Sequence, residues 1–434
     1  MSSESTMSDS YGSLDYQAYA DRTPEAPHGA SNIRPVPRIS IQAFCLDDAT
    51  VHAIEAAAED RRMQKAHVKL HKGGIPAAIE HYAQAPTPNL IVLECNDDRQ
   101  KLLHDLDQLA EYCDAGTKVV VIGKMNDVGL YRELVAQGIS EYLVAPIDLY
   151  QFIGAIGELY GEPGAEPLGR TIAFFGVKGG CGASTVAHNC AWTLARNYRN
   201  EVTVADLDLP FGTAGLDYNQ DPLQGIYEAV SSPDRLDETY LDRILSKCSD
   251  HLSLLAAPAT LERAYDFNEG AFEGLIDIMR SATPTIVLDV PHTWNGWTRQ
   301  VLTSADELVV VAEPDLANLR NAKNVIDSLK QLRPNDGLPH LVLNRTNMPK
   351  RPEIKPEEFA TALGLKAQMS IPFDPQLFGT AANNGQMIAE VDAKNPVSDM
   401  FNELAQLVSG RSDANKAKRT VLKGLLSKLT RKSA

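Results

Sequence analysis

GVKGGCGASTVAHN, residues 176 to 189, follows the apolar segment TIAFF and leads into a helical pattern. A strand, a glycine-rich loop and a helix in this order predict a phosphate cradle, because loop amides and a helix N-terminus both attract anions. Ser184 can offer its hydroxyl to Mg²⁺, and Thr185 can contact an α-phosphate. The predicted nucleotide contacts of this loop are Gly179, Gly180, Cys181, Gly182, Ala183, Ser184 and Thr185.

The loop lacks a lysine at the position where a phosphate loop normally has one, directly before the Ser-Thr pair. Ala183 occupies that position, and a lysine stands five residues earlier, at Lys178. Less positive charge is therefore available to a bound nucleotide from within the same subunit. We expect weak binding by the monomer and slow hydrolysis.

The composition is typical of a globular protein of two or three domains, with 434 residues of which 44% are apolar and 23% charged. The longest apolar runs are strand-sized, far below the roughly 20 residues that span a bilayer. The N-terminus is polar and acidic, unlike a secretory signal. Six cysteines without a CxxC pair favour free thiols in a reducing compartment. We expect a cytoplasmic protein.

The charge is spread unevenly along the chain. The net charge of −16 argues against a general nucleic-acid-binding surface. Residues 411–434, however, contain eight Lys or Arg and one Asp. In this tail one helical stripe would carry Val421, Leu422, Leu425, Leu426 and Leu429. A basic amphipathic helix is typical of contact with an anionic membrane surface or a partner groove, and a solvated, frayed terminus stays open as the alternative.

Composition and periodicity divide the chain into five segments. Residues 1–38 have no apolar period and are predicted to be a disordered leader. Residues 39–160 and 170–410 alternate short apolar strands with amphipathic helices, which predicts two α/β domains with doubly wound parallel sheets. Residues 161–169 are rich in Gly and Pro and predict a linker, and residues 411–434 form the basic tail. Five strands are predicted in the first domain and seven in the second.

KGG at 178 to 180 resembles the deviant Walker A loop of MinD/ParA-like ATPases. In that family the early lysine reaches the nucleotide of the partner subunit, across a dimer that encloses two ATP molecules. The resemblance implies ATP and Mg²⁺ as cofactors, a homodimer that forms on ATP binding, and a catalytic role for Lys178.

Two acidic strand ends resemble the switch regions of the same family. VTVADLDLPFG at 202 to 212 resembles switch I, which implies that Asp208 orients the attacking water and Asp206 lies beside the metal. TIVLDVPHTWNG at 285 to 296 resembles the Walker B strand and switch II, which implies that Asp289 is an outer ligand of Mg²⁺. An apolar strand that ends in Asp is otherwise often only a capped strand.

Two later segments resemble the part of the family that holds the adenine base. LVLNR at 341 to 345 implies that Asn344 hydrogen-bonds the base, although an Asn at a strand end is also an ordinary turn former. IPFDPQLFGTAANNGQ at 371 to 386 resembles the loop that closes over the base, which places Pro372 among the predicted nucleotide contacts.

Residues 39–160 resemble a response-regulator receiver domain whose chemical positions are changed. The positions of the acceptor Asp, the Ser or Thr, and the Lys are held by Glu94, Gly123 and Ala145. A carboxylate that is one methylene longer is a poor phosphoryl acceptor in a fixed site, and the charge of an acyl phosphate would lack its lysine. We therefore expect a docking or dimerising module without phosphoryl transfer.

A receiver-like domain followed by an ATPase with a KGGxGxST loop is the arrangement of the CpaE/TadZ proteins of tight-adherence (Flp, type IVc) pilus assembly. The resemblance implies an ATP-dependent positioning protein at the cell pole, peripheral to the inner membrane. It implies pilus and secretion proteins and a polar scaffold as partners, and no specific nucleic acid. Two alternatives stay open: a nucleotide-bound scaffold without hydrolysis, for which Ala183 argues, and a ParA-like partition ATPase, which the acidic body disfavours.

Overall fold

Apolar strands alternate with amphipathic helices, and in the computed structural model they form one parallel and one predominantly parallel sheet, both covered by helices. The structure describes residues 33–161 and 168–410. The basic tail, most of the predicted linker and most of the predicted leader lie outside the described residues. The predicted fold class, α/β with two doubly wound parallel-sheet domains, is confirmed.

The first domain is a five-stranded, all-parallel sheet with the strand order β2-β1-β3-β4-β5. Its strands are β1 Ser40–Cys45, β2 His67–Lys72, β3 Leu90–Cys95, β4 Lys118–Gly123 and β5 Glu141–Val144. Its helices are α1 Asp48–Ala58, α2 Gly74–Tyr82, α3 Arg99–Ala110, α4 Val128–Ala136 and α5 Leu149–Leu159. This strand order is one of the two common doubly wound orders, and it matches the five predicted strands.

The side chains of β1 point alternately to the two faces of the first sheet, and both faces are covered by helices. Ile41 and Ala43 point into one apolar cluster with residues of α1 and α5, whereas Phe44 points into the other with residues of α2, α3 and α4. A strand buried on both faces is a nearly continuous apolar run, as LIVL in β3 is.

The ordered first domain begins earlier than residue 39. Val36, which the sequence places in the leader, is 1% exposed, and its N–H donates to the carbonyl of Arg62 at 2.8 Å. The burial of this valine and the backbone hydrogen bond both attach the segment to the domain.

The second domain is an eight-stranded sheet with the order β13-β12-β11-β6-β10-β7-β9-β8. Its strands are β6 Arg170–Gly176, β7 Val202–Asp206, β8 Ser246–Ser249, β9 Leu252–Leu255, β10 Thr285–Val290, β11 Glu307–Ala312, β12 His340–Thr346 and β13 Ala367–Pro372. The edge strand β8 runs antiparallel to β9 and is absent from the prediction. Its four residues, SKCS, are polar and only partly buried, so the sequence carries no apolar strand signal there.

Helices cover both faces of this sheet as well. They are α6 Ala183–Tyr198, α7 Ala214–Asp217, α8 Ile226–Ser231, α9 Glu238–Ile244, α10 Glu273–Ala282, α11 Gly296–Ser304, α12 Leu316–Leu332, α13 Pro356–Leu363, α14 Pro375–Asn384, α15 Ile388–Val391 and α16 Pro396–Val408. Phe174 of β6 packs with α6 and α16, and its neighbour Phe175 packs with α10 and α11. Within the described residues, no helix has the length and apolar content that crossing a bilayer requires.

A buried cluster of charges joins the two domains. Arg61 donates to a carboxylate oxygen of Asp336 at 2.7 Å and to the carbonyl of Ser304 at 2.6 Å. Arg62 donates to the other Asp336 oxygen at 2.9 Å, and Arg333 also pairs with this carboxylate at 3.2 Å. All these charged side chains are at most 7% exposed. Several guanidinium groups around one carboxylate fix the geometry of the interface, because each bond is directional and shielded from water.

A second carboxylate extends this cluster to the strand that precedes the phosphate loop. Asp306 lies near Arg61 and Arg280, at 3.4 and 3.2 Å, and accepts two hydrogen bonds from Thr171, the second residue of β6. Asp306 and Asp336 both precede strands, β11 and β12. The first domain is therefore attached at the amino ends of the strands, the edge opposite to the phosphate loop.

Replacing Asp336 tests the strength of this junction. Asp336→Ala leaves three buried guanidinium groups without their shared carboxylate, so we expect the first unfolding transition in urea to lose about 3–5 kcal/mol. Asp327→Ala removes an exposed pair with Lys323 and should cost about 0.5 kcal/mol or less. Equal losses in the two variants would contradict the importance assigned to the junction.

The contribution of Asp336 should also depend on pH. Burial alone would raise the pKa of Asp336, but the guanidinium groups of Arg61, Arg333 and Arg62 lower it to about 2. Because this folded-state pKa is below the usual 3.8, the stabilisation is complete above about pH 4 and is lost as the pH falls toward 2. We expect the difference in unfolding free energy between the parent and Asp336→Asn to narrow as the pH falls over that interval. A difference that stays constant in urea titrations would argue against this role of the Asp336 charge.

Candidate nucleotide-binding site

The loop between β6 and α6 has the backbone shape of an anion cradle. Gly180 and Gly182 have φ values of +83° and +87°, which side chains other than glycine rarely adopt. A Cβ on Gly182 would also lie 2.4 Å from the amide nitrogen of Asn344. α6 begins at Ala183, so its first N–H groups face the loop.

Three neighbouring elements hold this loop in place. The side-chain amide of Asn344 donates to the carbonyl of Cys181 at 2.9 Å, and that of Asn321 donates to the carbonyl of Val177 at 2.9 Å. His292, in the predicted switch II, donates through Nδ1 to the carbonyl of Gly176 at 2.7 Å. The loop is therefore preorganised by β12, α12 and the segment after β10.

A cavity of about 300 Å³ opens beside the loop and receives four of the predicted nucleotide contacts. These four are Gly182, Thr185, Asn344 and Pro372. The cavity is also lined by Asp217, Phe373 and Phe378, so an apolar wall faces a few polar groups, as is typical of small-molecule sites. Lys178, Gly179 and Gly180 lie outside this cavity and are exposed on the loop.

Asn344 lies where a base reader should be, but part of its amide is already used. Its nitrogen donates to Cys181, and its oxygen accepts from the N–H of Arg345 at 2.9 Å. An Asn amide has two N–H groups and two oxygen lone pairs, so one of each remains for a ligand. Its role in reading the base stays a prediction.

Two predicted metal-site carboxylates occupy paired positions on neighbouring strands, Asp206 on β7 and Asp289 on β10. Asp206 is fully buried, and its oxygens accept hydrogen bonds from the N–H groups of Asp208 and Ala214 at 3.2 and 3.0 Å. Burial, together with the charge of Asp289, raises the pKa of Asp206 to about 7. Asp206 thus shapes the backbone of the predicted switch I, while Asp208 is half-buried at the same edge of the sheet.

A buried histidine bridges two carboxylates at the base of the site. His188 of α6 is 0% exposed; its Nδ1 lies 2.7 Å from Asp217, and its Nε2 lies 3.2 Å from Asp289. The second contact is a close approach of charges, because neither atom of this pair has a well-aligned hydrogen bond. Burial alone would lower the pKa of His188, but the hydrogen bond with Asp217 and the charges of Asp217 and Asp289 raise it to about 10.

The residues at this edge suit a nucleotide with a divalent metal. No cluster of three or more His, Cys, Asp or Glu among the described residues forms a ready-made metal site. Mg²⁺ usually needs only one or two protein oxygens in addition to phosphates and waters. Ser184 would supply one such oxygen, with Asp289 as an outer ligand, and both roles stay predictions. The buried Asp289 oxygen without a hydrogen bond is the observation that fits this use. When bound, the metal would neutralise phosphate charge.

The side chain of Lys178 lies at the surface of the phosphate loop. Its side chain is 50% exposed, and its ammonium lies 4.0 Å from Asp315, the residue that caps α12 through the N–H of Asn318. Burial opposes the change, but the hydrogen bonds from Asn318 and the charge of Lys178 lower the pKa of Asp315. A half-exposed ammonium with one distant carboxylate is free to reorient at low cost.

In the first domain, the position of the missing phosphoryl acceptor is closed. Glu94 is 1% exposed; one oxygen accepts from the N–H groups of Leu46 and Asp47 at 2.7 and 3.0 Å, and the other accepts from the Thr50 hydroxyl at 2.7 Å. Asp47 is further paired with Lys124 at 3.0 Å. A carboxylate engaged in this way holds the start of α1 and is not exposed to a phosphoryl donor.

The second domain is similar to proteins that bear septum-site and partition names. The AAA domain family model (AAA_31) matches residues 169–338. The septum site-determining protein MinD of Synechocystis sp. is 25% identical over 255 residues, which are 56% of this chain and 91% of that protein. The crystal structure of a ParA family ATPase from Chlorobium tepidum is 27% identical, covers 55% of this chain and 98% of that one, and has a TM-score of 0.50.

A pilus assembly protein gives a much higher identity. The crystal structure of CpaE from Caulobacter crescentus is 50% identical, and the match covers 98% of that chain and 30% of this one, with a TM-score of 0.29. The chain belongs to the CpaE-like MinD/ParA ATPases. The identity and the coverage carry this assignment, and the predicted family is confirmed.

In this CpaE-like protein the candidate site contains residues that sequence reasoning did not identify. His188, Asp217 and His292 were not among the predicted site residues. A signal for His188 was present, because it follows Ser184 by four residues and therefore lies on the same face of α6, inside an otherwise apolar stretch. The predicted roles of the loop residues and of Asp206, Asp208 and Asp289 stay predictions.

A glycine in the predicted switch I offers a test of the packing in this site. A Cβ on Gly212 would lie 2.3 Å from a carboxylate oxygen of Asp206 and 2.5 Å from Cβ of Ala257. We expect Gly212→Ala to cost about 1–3 kcal/mol in urea unfolding, because the buried contact must give way. Gly274→Ala, in α10 with open space around it, should be neutral or stabilising by up to about 1 kcal/mol. A neutral Gly212→Ala would mean that the loop is looser than described.

Proposed function

We propose that this chain is an ATP-dependent, dimerising positioning protein for the assembly of a tight-adherence pilus at the cell pole. ATP with Mg²⁺ binds at the loop of residues 176–185, and its binding joins two subunits. The observation that carries the proposal is the half-exposed ammonium of Lys178 on a loop whose own lysine position is Ala183. The subunit lacks the usual lysine beside its own phosphates but has a lysine at its surface. This arrangement suits a triphosphate that is shared between two subunits.

Apolar side chains around the loop support a paired state. Phe211, Trp294 and Leu316 follow the carboxyl ends of β7, β10 and β11 and are 71%, 47% and 74% exposed. The carboxyl ends of parallel strands meet at one edge of the sheet, where the phosphate loop also lies. Exposed apolar groups collected at a nucleotide edge suit burial by a second copy of the chain.

The relatives support the cellular role. The protein from Caulobacter crescentus is described as a pilus assembly protein, and that from Chlorobium tepidum as a ParA family ATPase. We infer the same two properties here, pilus assembly and ATP use, with pilus and secretion proteins and a polar scaffold as partners. The basic tail, for which we propose a membrane or partner contact at the inner membrane, lies outside the described residues.

A polar scaffold that holds nucleotide without turnover is the second candidate, and Ala183 favours it. Phosphoryl transfer depends on charge neutralisation around the γ-phosphate, which this subunit supplies weakly. We expect slow phosphate release that falls to background in Asp208→Ala. Release at background in both proteins would establish the scaffold instead.

Oligomeric state with and without nucleotide tests the leading proposal. We expect light scattering after size exclusion to show a dimer with ATP and a monomer with ADP or without nucleotide. Lys178→Ala should remain monomeric with ATP, because the cation for the neighbouring triphosphate is removed. Lys323→Ala is the matched control, since this lysine is 48% exposed and also pairs with an Asp. Parent-like dimerisation of Lys178→Ala would overturn the proposal.

A further inference from the structure

Arg345 has a backbone conformation that is uncommon for its residue type. It lies near the end of β12, where the pairing with β13 shifts in register between Leu343 and Thr346, and its φ is +53°. Few residues other than Gly, Asn and Asp adopt this left-handed region, because Cβ approaches the following carbonyl. Residues held in such conformations are concentrated at active sites and ligand-binding positions. Arg345 is therefore a candidate for a functional contact.

Neighbouring groups hold Arg345 at three points. Its N–H donates to the side-chain oxygen of Asn344 at 2.9 Å, and its carbonyl accepts a hydrogen bond from the guanidinium of Arg351. Its own guanidinium donates through Nη1 to Glu313 at 3.0 Å, and Arg351 donates to the other oxygen of Glu313 at 2.7 Å. The Arg345 side chain is 44% exposed, so this ion pair adds little to stability. These contacts fix an orientation more than they stabilise the fold.

Arg345 lies at the end of the candidate site where no phosphate is expected. It lines the cavity together with Pro372, Phe373 and Phe378, whereas the first glycines of the phosphate loop lie outside that cavity. Because the loop amides are proposed to hold the phosphates, the cavity is left for the base and the ribose. Burial raises the pKa of the Cys181 thiol and the charge of Arg345 opposes this rise, so the guanidinium is close to the loop.

The guanidinium of Arg345 is a planar cation whose faces remain available. Its contact with Glu313 uses an N–H at the edge of the plane, and the side chain is only partly buried. Guanidinium groups stack on aromatic rings, and a nucleotide base is such a ring. The apolar wall of the cavity suits the same flat ligand.

We propose that Arg345 stacks its guanidinium on the base of the bound nucleotide and that Glu313 orients it for this contact. This inference rests on the proposed nucleotide binding. It adds a contact with the face of the base to the edge contact predicted for Asn344. Stacking tolerates different bases, so Arg345 contributes affinity, and hydrogen bonds to the edge of the base contribute specificity.

The affinity for ADP with Mg²⁺, measured by calorimetry on the full chain, tests this contact. Arg345→Gly removes the guanidinium and suits the positive φ, so ADP should bind about tenfold more weakly while the melting temperature stays at the parent's value or rises. Arg345→Lys keeps the charge but has no plane to stack, so ADP should bind at least about threefold more weakly. A contact with phosphate predicts instead that the lysine variant binds like the parent.

Two control variants account for charge and for the order of the loop. Arg99 is 48% exposed and pairs with Glu133 in the first domain, so Arg99→Ala should bind ADP within about twofold of the parent. Arg351 shares Glu313 with Arg345 but does not line the cavity. Arg351→Gln should therefore weaken ADP binding less than Arg345→Gly does.

The outcomes separate this inference from the proposed function. A parent that binds no ADP would overturn nucleotide binding and the stacking contact together. If the parent and Arg345→Gly bind ADP equally well, the stacking contact alone is overturned. Parent-like affinity of Arg345→Lys would overturn it in favour of a charge contact, and an equal loss in Arg351→Gln would overturn it in favour of loop order. If melting curves show that Arg345→Gly does not fold, Arg345→Lys decides by the same criterion.

Discussion

Two carboxylates in adjacent strands, Asp206 on β7 and Asp289 on β10, impose the constraint around which the second domain is organised. Both are almost completely buried, so their repulsion is not screened by water. Asp206 is stabilised by the backbone N–H groups of switch I, and Asp289 by the imidazole of His188. Switch I, the start of α7 and α6 therefore each contribute a group that contacts one of the two carboxylates. The candidate nucleotide site thus contains buried negative charge that neighbouring N–H groups and an imidazole compensate.

The sequence predicts the fold well because the signals are local and repeated. Apolar strands such as TIAFF and LIVL, separated by amphipathic helices, are sufficient for two doubly wound sheets, and the structure has both. β8 escapes prediction because its four polar residues pair at an edge, where the partner strand and not the side chains determines the structure. Val36 escapes for a related reason: a single apolar residue in a polar segment has no period, although the domain buries it.

Site residues can be predicted from the sequence only where they belong to a motif of fixed spacing. The loop glycines, Ser184 and the acidic strand ends follow from motifs, and Gly182, Thr185, Asn344 and Pro372 do line one cavity. The contact between His188 and Asp217 joins residues 29 apart, and that between Asn344 and Cys181 joins residues 163 apart. No short-range pattern reports such pairs, because the packing of α6 against α7 and of β12 against the loop creates them.

The buried arginine cluster at Asp336 and Asp306 has a geometrical consequence for any paired form of the chain. It fastens the first domain to the amino ends of the strands, whereas the nucleotide edge lies at their carboxyl ends. Two subunits that meet across their nucleotides would therefore carry their first domains outward, at the two far tips of an elongated particle. In the proposed dimer, a binding protein at each of the two tips could tether the particle at both ends or link successive particles into a row.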